Sequence, residues 1–239
     1  MSPRTLVLIA GAWHGAWCWS RLVPLLEAQG HRVLTPELPG TGEDDTDPAT
    51  VTLDGWARFV ADLIPAEQEP VVLVGHSRAG VVISRAAELI PERIGRLVYL
   101  AAYLLPAGVT VAAEARRDAD SLVPANMVPA ASGVTCTLRP EVIREAFFGD
   151  CDDETFAFAR GHLTPEPLKP LVTSPVVTAA RFGVVPRVYI ECTRDRTISL
   201  AAQRRMQAAL PCELVHTLES DHAPFLSHPR ELAELLGRL

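Results

Sequence analysis

No stretch of this sequence stays apolar for long enough to cross a membrane, because polar or breaker residues interrupt every run. Blocks of Lys or Arg that would make a local basic footprint are also lacking, and a formal charge of −7 repels phosphate backbones. Membrane and nucleic-acid partners are therefore not expected. Cysteine is scarce: Cys18, Cys136, Cys151, Cys192 and Cys212 are odd in number, widely spaced and free of metal-type pairing. They read as reduced thiols of a cytoplasmic protein, serving as small apolar filler. With no ligand cluster and no phosphate-cradling glycine loop, neither a metal nor a cofactor is expected. Repeats and low-complexity tracts are absent as well. The start, Met1-Ser2-Pro3-Arg4 before Thr5-Leu6-Val7-Leu8-Ile9-Ala10, superficially resembles a secretion signal. Its apolar run is too short and passes straight into Gly11 and a Trp-rich loop, so a buried first strand is the better expectation.

What the chain does have is apolar material: 48% of its 239 residues are hydrophobic, which suits one domain built on a large buried sheet. Short Val-, Ile- and Leu-rich runs at 5–10, 32–36, 70–75, 96–102, 187–192 and 213–218 alternate with helical patterns. Such alternation predicts an α/β fold, with about six mostly parallel strands, buried on both faces, joined by crossover helices. The helices are expected at 19–29, 53–64, 78–90, 200–210 and 229–236, ended by Gly30, Pro65, Pro91, Pro211 and Gly237. Between about 105 and 183 the alternation fails. Prolines are frequent there, strand patterns are missing and short helical pieces lie at 140–148 and 153–160. An interruption of this length in a compact domain is expected to be a helical lid over a site. Its Phe147, Phe148, Phe156, Phe158 and Leu163 could line a pocket or serve in packing.

The chemistry centres on Gly75-His76-Ser77-Arg78-Ala79-Gly80, which runs from a buried strand directly into a helix. A serine on so sharp a turn sits in strained backbone, and residues two places either side must be small. Gly75 and Ala79 meet that need, the alanine standing where glycine is more usual. A serine hydroxyl is a poor nucleophile at neutral pH, so a base must take its proton and a carboxylate must hold that base. In a strand–turn–helix arrangement of this kind the acid and then the histidine follow at the carboxyl ends of later strands. Asp195 follows the run at 187–192, and His222 follows the run at 213–218. Other histidines fit less well: His31 precedes a strand, His216 lies in one, His162 falls in the long interruption, His228 opens the last helix and His76 should point away. His14, in the loop after the first strand, is expected as a pocket or packing residue beside Gly11. Asp221 adjoins His222 too closely in sequence to orient its ring, Glu191 lies within a strand, and Tyr103 occupies the slot after the fourth run. The backbone N–H groups of Ala12 and Arg78 are the expected donors to an oxyanion, Gly11 permitting the close turn.

The stretch Ile9-Ala10-Gly11-Ala12-Trp13-His14-Gly15-Ala16-Trp17-Cys18-Trp19 resembles the plant methylesterase and hydroxynitrile lyase group of α/β-hydrolases, with its bacterial esterase relatives. Asp195-Arg196-Thr197-Ile198 and Asp221-His222-Ala223-Pro224-Phe225 add to the likeness, which spans the chain. The family pattern usually begins His-Gly where Ala10-Gly11 stands, which removes a side chain often used to brace the oxyanion loop. Lyases of the group carry threonine in the Gly11 slot and lysine after the catalytic histidine, where this chain has Ala223. Lacking that cation to stabilise departing cyanide, the resemblance implies an esterase acting on a small to medium carboxylic ester. Members of the fold with an aspartate nucleophile are argued against by Ser77. Alternatives on the same scaffold are a lyase, a C–C, lactone, amide or carbamate hydrolase, or a small-molecule receptor without turnover. The expected partner is a small ester, and the expected state a monomer or homodimer.

Overall fold

The computed structural model describes residues 3–66 and 69–239. Strand β1 (Thr5–Ile9) leads through α1 (Val23–Ala28) to β2 (Arg32–Leu34), and α2 (Leu53–Asp62) leads to β3 (Val71–His76). From β3 the chain turns into α3 (Ala79–Leu89) and returns as β4 (Ile94–Leu100). The following segment holds α4 (Val111–Arg117), β5 (Met127–Pro129), β6 (Thr135–Leu138), α5 (Ile143–Phe147), α6 (Asp153–His162), β7 (Glu166–Pro167) and α7 (Leu168–Leu171). The chain rejoins the main sheet as β8 (Arg187–Cys192), followed by α8 (Leu200–Ala209), β9 (Leu214–Leu218), α9 (Pro224–Ser227) and α10 (Pro229–Gly237). No helix among the described residues is long and apolar enough to cross a membrane.

The six long-range strands form one sheet in the order β2-β1-β3-β4-β8-β9, every neighbouring pair parallel. Strand periodicity of two divides its side chains between two cores. Leu6, Leu8, Val72, Val74, Val98 and Ile190 pack with Trp19, Leu26, Phe225 and Leu236 on one face. Val7, Ile9, Leu73, Leu97, Tyr99 and Tyr189 pack with Trp56, Val60, Val82 and Met206 on the other. Helix starts are set locally: Thr52, Asp152 and Ser199 each cap a helix by accepting from a backbone N–H three residues on.

Three features depart from the sequence expectation. The pattern at 19–29 resolves into a 3-10 turn at Ala16–Trp19 and a shorter α1, because Pro24 lacks a donor and is accommodated only in a helix's first turn. The segment after β4 is not purely helical: β5, β6 and β7 form a small antiparallel sheet, whose strands of two to four residues are too short for a period to register. Burial on both faces holds for the central strands but not at the edge, where Leu214 and Val215 of β9 are 46% and 48% exposed.

The order of the strands positions the site. Because β2 and β3 lie on opposite sides of β1, the connections leaving β1 and β3 diverge and open a crevice at their carboxyl ends. Gly75 is required where β3 meets α3, since a Cβ there would lie 2.9 Å from the Ala79 carbonyl oxygen and 3.0 Å from Ile83 Cδ1. Gly161, in α6, has open space around it. Gly75→Ala is therefore expected to destabilise the protein by about 1–3 kcal/mol, as overpacking does. Gly161→Ala should be neutral or stabilising by up to about 1 kcal/mol. Urea unfolding of the two variants beside the parent protein measures both.

Candidate active site

Ser77 stands between β3 and α3 with φ of 54°, a left-handed conformation that a non-glycine residue holds only at a cost of about 1–3 kcal/mol. Its backbone is clamped on both sides. Ser77 N–H donates to Leu100 O at 3.2 Å, while Ser77 O accepts from Gly80 N–H at 3.1 Å and Tyr103 N–H at 3.0 Å. Gly80 lies so close to the Tyr103 backbone that a Cβ would overlap it. Tyr103, just after β4, thus closes the turn, and it also lines the cavity in front of Ser77.

Asp195 and His222 come together from the ends of β8 and β9. His222 Nδ1 lies 2.7 Å from Asp195 Oδ2, with both side chains buried. Asp195 Oδ1 accepts from Thr197 N–H at 2.7 Å and Ile198 N–H at 2.9 Å, so one oxygen is tied to its own loop and the other to the ring. That leaves His222 Nε2 as the nitrogen able to accept a proton. No hydrogen bond joins Ser77 Oγ to His222 among the described residues; a bond between such a pair commonly tightens only in the complex with substrate. Asp221 takes no part in orienting the ring; it accepts from Asp150 N–H, Ala223 N–H and the Ser227 hydroxyl. Glu191 is engaged with Arg204 and Thr217.

His76 corrects the expectation that it points away. Its ring packs 4.4 Å from that of His222, and its Nε2–H donates to His222 O at 2.8 Å. His14 donates from Nδ1 to Ala12 O at 2.7 Å and sits among Trp17, Phe147, Phe148 and Phe225. It is 1% exposed. Phe147 and Phe148 belong to that packing rather than to the cavity.

The cavity before Ser77 has a volume of about 230 Å³ and mostly apolar walls, supplied by Val111, Ala115, Val123, Met127, Leu168 and Leu171 among others. Ala12 and Arg78 border it, whereas Gly11 and His14 do not. Gly11 packs against the turn instead, where a Cβ would sit 2.8 Å from Ser77 Cβ and 2.7 Å from His76 Nδ1. Among the described residues the backbone N–H groups of Ala12 and Arg78 have no hydrogen-bond acceptor. Trp13, with φ of 63°, is held by the segment after β4: its N–H donates to Glu166 Oε2, its Nε1–H to Cys136 O, and its carbonyl accepts from Thr164 N–H, each at 3.0 Å.

Sequence reasoning missed the side chain of Arg78 and its partner Glu166. Both are buried, with Arg78 Nε 2.8 Å from Glu166 Oε1. No motif marks Glu166, and a buried arginine side chain one residue after the serine has no sequence signature. No group of three or more His, Cys, Asp or Glu among the described residues could hold a metal ion.

This is the architecture of the α/β-hydrolases, and the chain belongs to that family: the model of the Alpha/beta hydrolase family matches residues 6–235. A pyrethroid hydrolase of Sphingobium wenxiniae is 34% identical, over 99% of this chain and 88% of the relative. An esterase of Oryza sativa is 30% identical over 100% of this chain and 96% of its own. The crystal structure of an Arabidopsis methylesterase superposes with a TM-score of 0.86 at 26% identity, covering 98% of both chains.

Burial depresses the His14 imidazole to about 3 and holds His76 well below the ordinary histidine value. Between pH 6.5 and those lowered values the unfolded chain binds protons that the folded chain refuses, so their contribution to stability falls as pH drops. The carboxyls of Glu166 and Asp221, raised by burial, act in the opposite sense above the ordinary carboxylate range. His14→Gln isolates the first effect. Between pH 4.5 and 6 its unfolding free energy should vary less steeply than the parent's, by up to about 1.4 kcal/mol per pH unit, as read from urea curves at each pH.

Proposed function

We propose that this protein hydrolyses a small to medium carboxylic ester, with Ser77 as nucleophile, His222 as general base and Asp195 orienting the ring. One observation carries the reading: Ser77, in left-handed backbone at the head of α3, faces an apolar 230 Å³ cavity flanked by two acceptor-free backbone N–H groups. An ester carbonyl placed there has its carbon beside Ser77 Oγ and its oxygen toward Ala12 and Arg78 N–H. As Ser77 attacks, its proton passes to His222 Nε2 and the carbonyl oxygen gains charge between the two donors. Collapse of that intermediate expels the alcohol, which takes the proton from His222. Water then attacks the acyl-serine by the same route and releases the acid.

The segment 105–183 acts in this reading as a lid on a single α/β domain, because α4, β5 and α7 supply the apolar walls opposite Ser77. Those walls favour an ester with an apolar acyl or alcohol part, and the relatives named above are esterases or hydrolases by title. A lyase is less well supported: Ala223 follows His222, fully buried, where a cation would have to meet a departing anion. The five free thiols support a reducing, cytoplasmic setting, and the protein works as a monomer or homodimer on a small molecule.

Turnover of p-nitrophenyl butyrate by the purified protein tests the proposal. Ser77→Ala should lose at least about 10³-fold in kcat, and Asp195→Asn about 10⁴-fold, with KM little changed. Equal rates for the parent and Ser77→Ala would overturn the assignment.

A further inference from the structure

The peptide that joins Gly11 to Ala12 carries the N–H proposed above as an oxyanion donor. In a trans peptide the C=O and N–H point in opposite directions, and no cis bond occurs among the described residues. Whatever holds Gly11 O therefore sets the direction of Ala12 N–H. Gly11 O accepts most closely from the Arg78 side chain, whose Nη2–H donates at 3.0 Å, and at 3.4 Å from His14 N–H within its own loop. The next peptide is pinned as well, since Trp13 N–H donates to Glu166 Oε2 at 3.0 Å and Ala12 O accepts from His14 Nδ1–H at 2.7 Å. Glu166 closes the arrangement: its Oε1 lies 2.8 Å from Arg78 Nε, and its Oε2 accepts from Arg78 Nη2–H at 3.3 Å. The guanidinium stacks on Trp56 with Cζ 4.3 Å from the ring centre. Both charged side chains are 1% exposed, so neither is screened by water.

We propose that the Arg78–Glu166 ion pair is a positioning device for the oxyanion hole, orienting the Ala12 N–H through the opposite end of its own peptide and tying that orientation to the segment that carries Glu166. Arg78 then serves twice: its backbone N–H is one donor, and its side chain aims the other. The side chains of Arg78 and Glu166 act by positioning, touching the oxyanion loop rather than the substrate. The cation on Gly11 O also polarises the peptide, which strengthens the N–H as a donor. Such a brace acts where charge develops in the transition state and hardly on the neutral ester, so its loss belongs in kcat and not in KM. The inference rests on the esterase reading of the site, and its test separates the two.

Three variants are made: Arg78→Met, Glu166→Gln and the double variant Arg78→Met/Glu166→Met, which replaces both charges with apolar chains so that neither is left buried alone. Each is measured for Tm, for kcat and KM with p-nitrophenyl butyrate, and for the rate of Ser77 labelling by a fluorophosphonate. In labelling, the Ser77 Oγ–P bond forms as P–F breaks, fluoride leaves and the proton passes to His222, with the phosphoryl oxygen in the oxyanion hole. The expected result is a folded double variant whose Tm falls because Trp13 N–H and Gly11 O lose their partners, with kcat lower by about 10²–10³-fold, KM within about threefold, and labelling slowed in parallel. Glu166→Gln, which keeps an acceptor for Trp13 N–H, should lose about tenfold in kcat. A role confined to holding the two segments together predicts instead a lower Tm with kcat unchanged, and that result in any folded variant overturns the inference. If the parent protein labels at Ser77 but turns over no ester, the esterase reading fails while labelling rates still decide the brace: equal rates in parent and Arg78→Met overturn it. A parent protein that neither turns over nor labels overturns both.

Discussion

The backbone of Ser77 is held in a left-handed conformation by bonds to Leu100, Gly80 and Tyr103, and most of the site is arranged around that constraint. A cost of about 1–3 kcal/mol persists only where the surroundings over-determine the geometry, and here a strand end, a helix start and the loop after β4 all do so. Small residues follow as a requirement: Gly75 lets α3 cross β3, and Gly80 lets α3 approach the Tyr103 backbone. The result places one hydroxyl at the head of a helix, in the crevice where the strand order reverses.

Around that fixed serine, the long segment between β4 and β8 is joined to the sheet by polar contacts as well as by apolar packing. Glu166 and Thr164 hold Trp13, Thr197 Oγ1–H donates to Ala146 O at 2.7 Å, and Asp150 accepts from Asp221 N–H at 2.8 Å. These contacts reach the loops that follow β1, β8 and β9. The segment that walls the cavity is thus the segment that steadies the loops of the proposed oxyanion donor, acid and base. The Arg78–Glu166 pair is the most buried of these links, and being neutral as a pair it leaves no uncompensated charge beneath the cavity.

Much of this was legible in advance because it is local. The six strands of the main sheet announce themselves as apolar runs bounded by breakers, and their observed ranges fall within two residues of the expected ones. Ser77 was legible from a strand that runs into a helix through Gly75 and Ala79. Asp195 and His222 were legible from their places after β8 and β9, and the structure brings their side chains within 2.7 Å. Less was legible where the governing contact is distant. The little sheet of β5, β6 and β7 is stabilised by pairing across a gap in sequence, not by propensity. The ring of His76 was misjudged because alternation along β3 says which face it takes but not what the end of β9 brings there.

The sequence by itself determined the α/β alternation, the sharp turn at Ser77 and the places of Asp195 and His222 after β8 and β9, since each is written in neighbouring residues and in periods of 2 and 3.6. Tertiary structure alone decided which phenylalanines pack around His14, which apolar residues wall the cavity, and that Arg78 turns its charge inward. Glu166 lies 88 residues from Arg78 and 153 from Trp13, and nothing in the local chain around any of the three requires the others. Burial creates that requirement. Once the segment folds over the sheet, a guanidinium shut away from water must find a carboxylate, and the carboxylate it finds also holds the loop of Ala12.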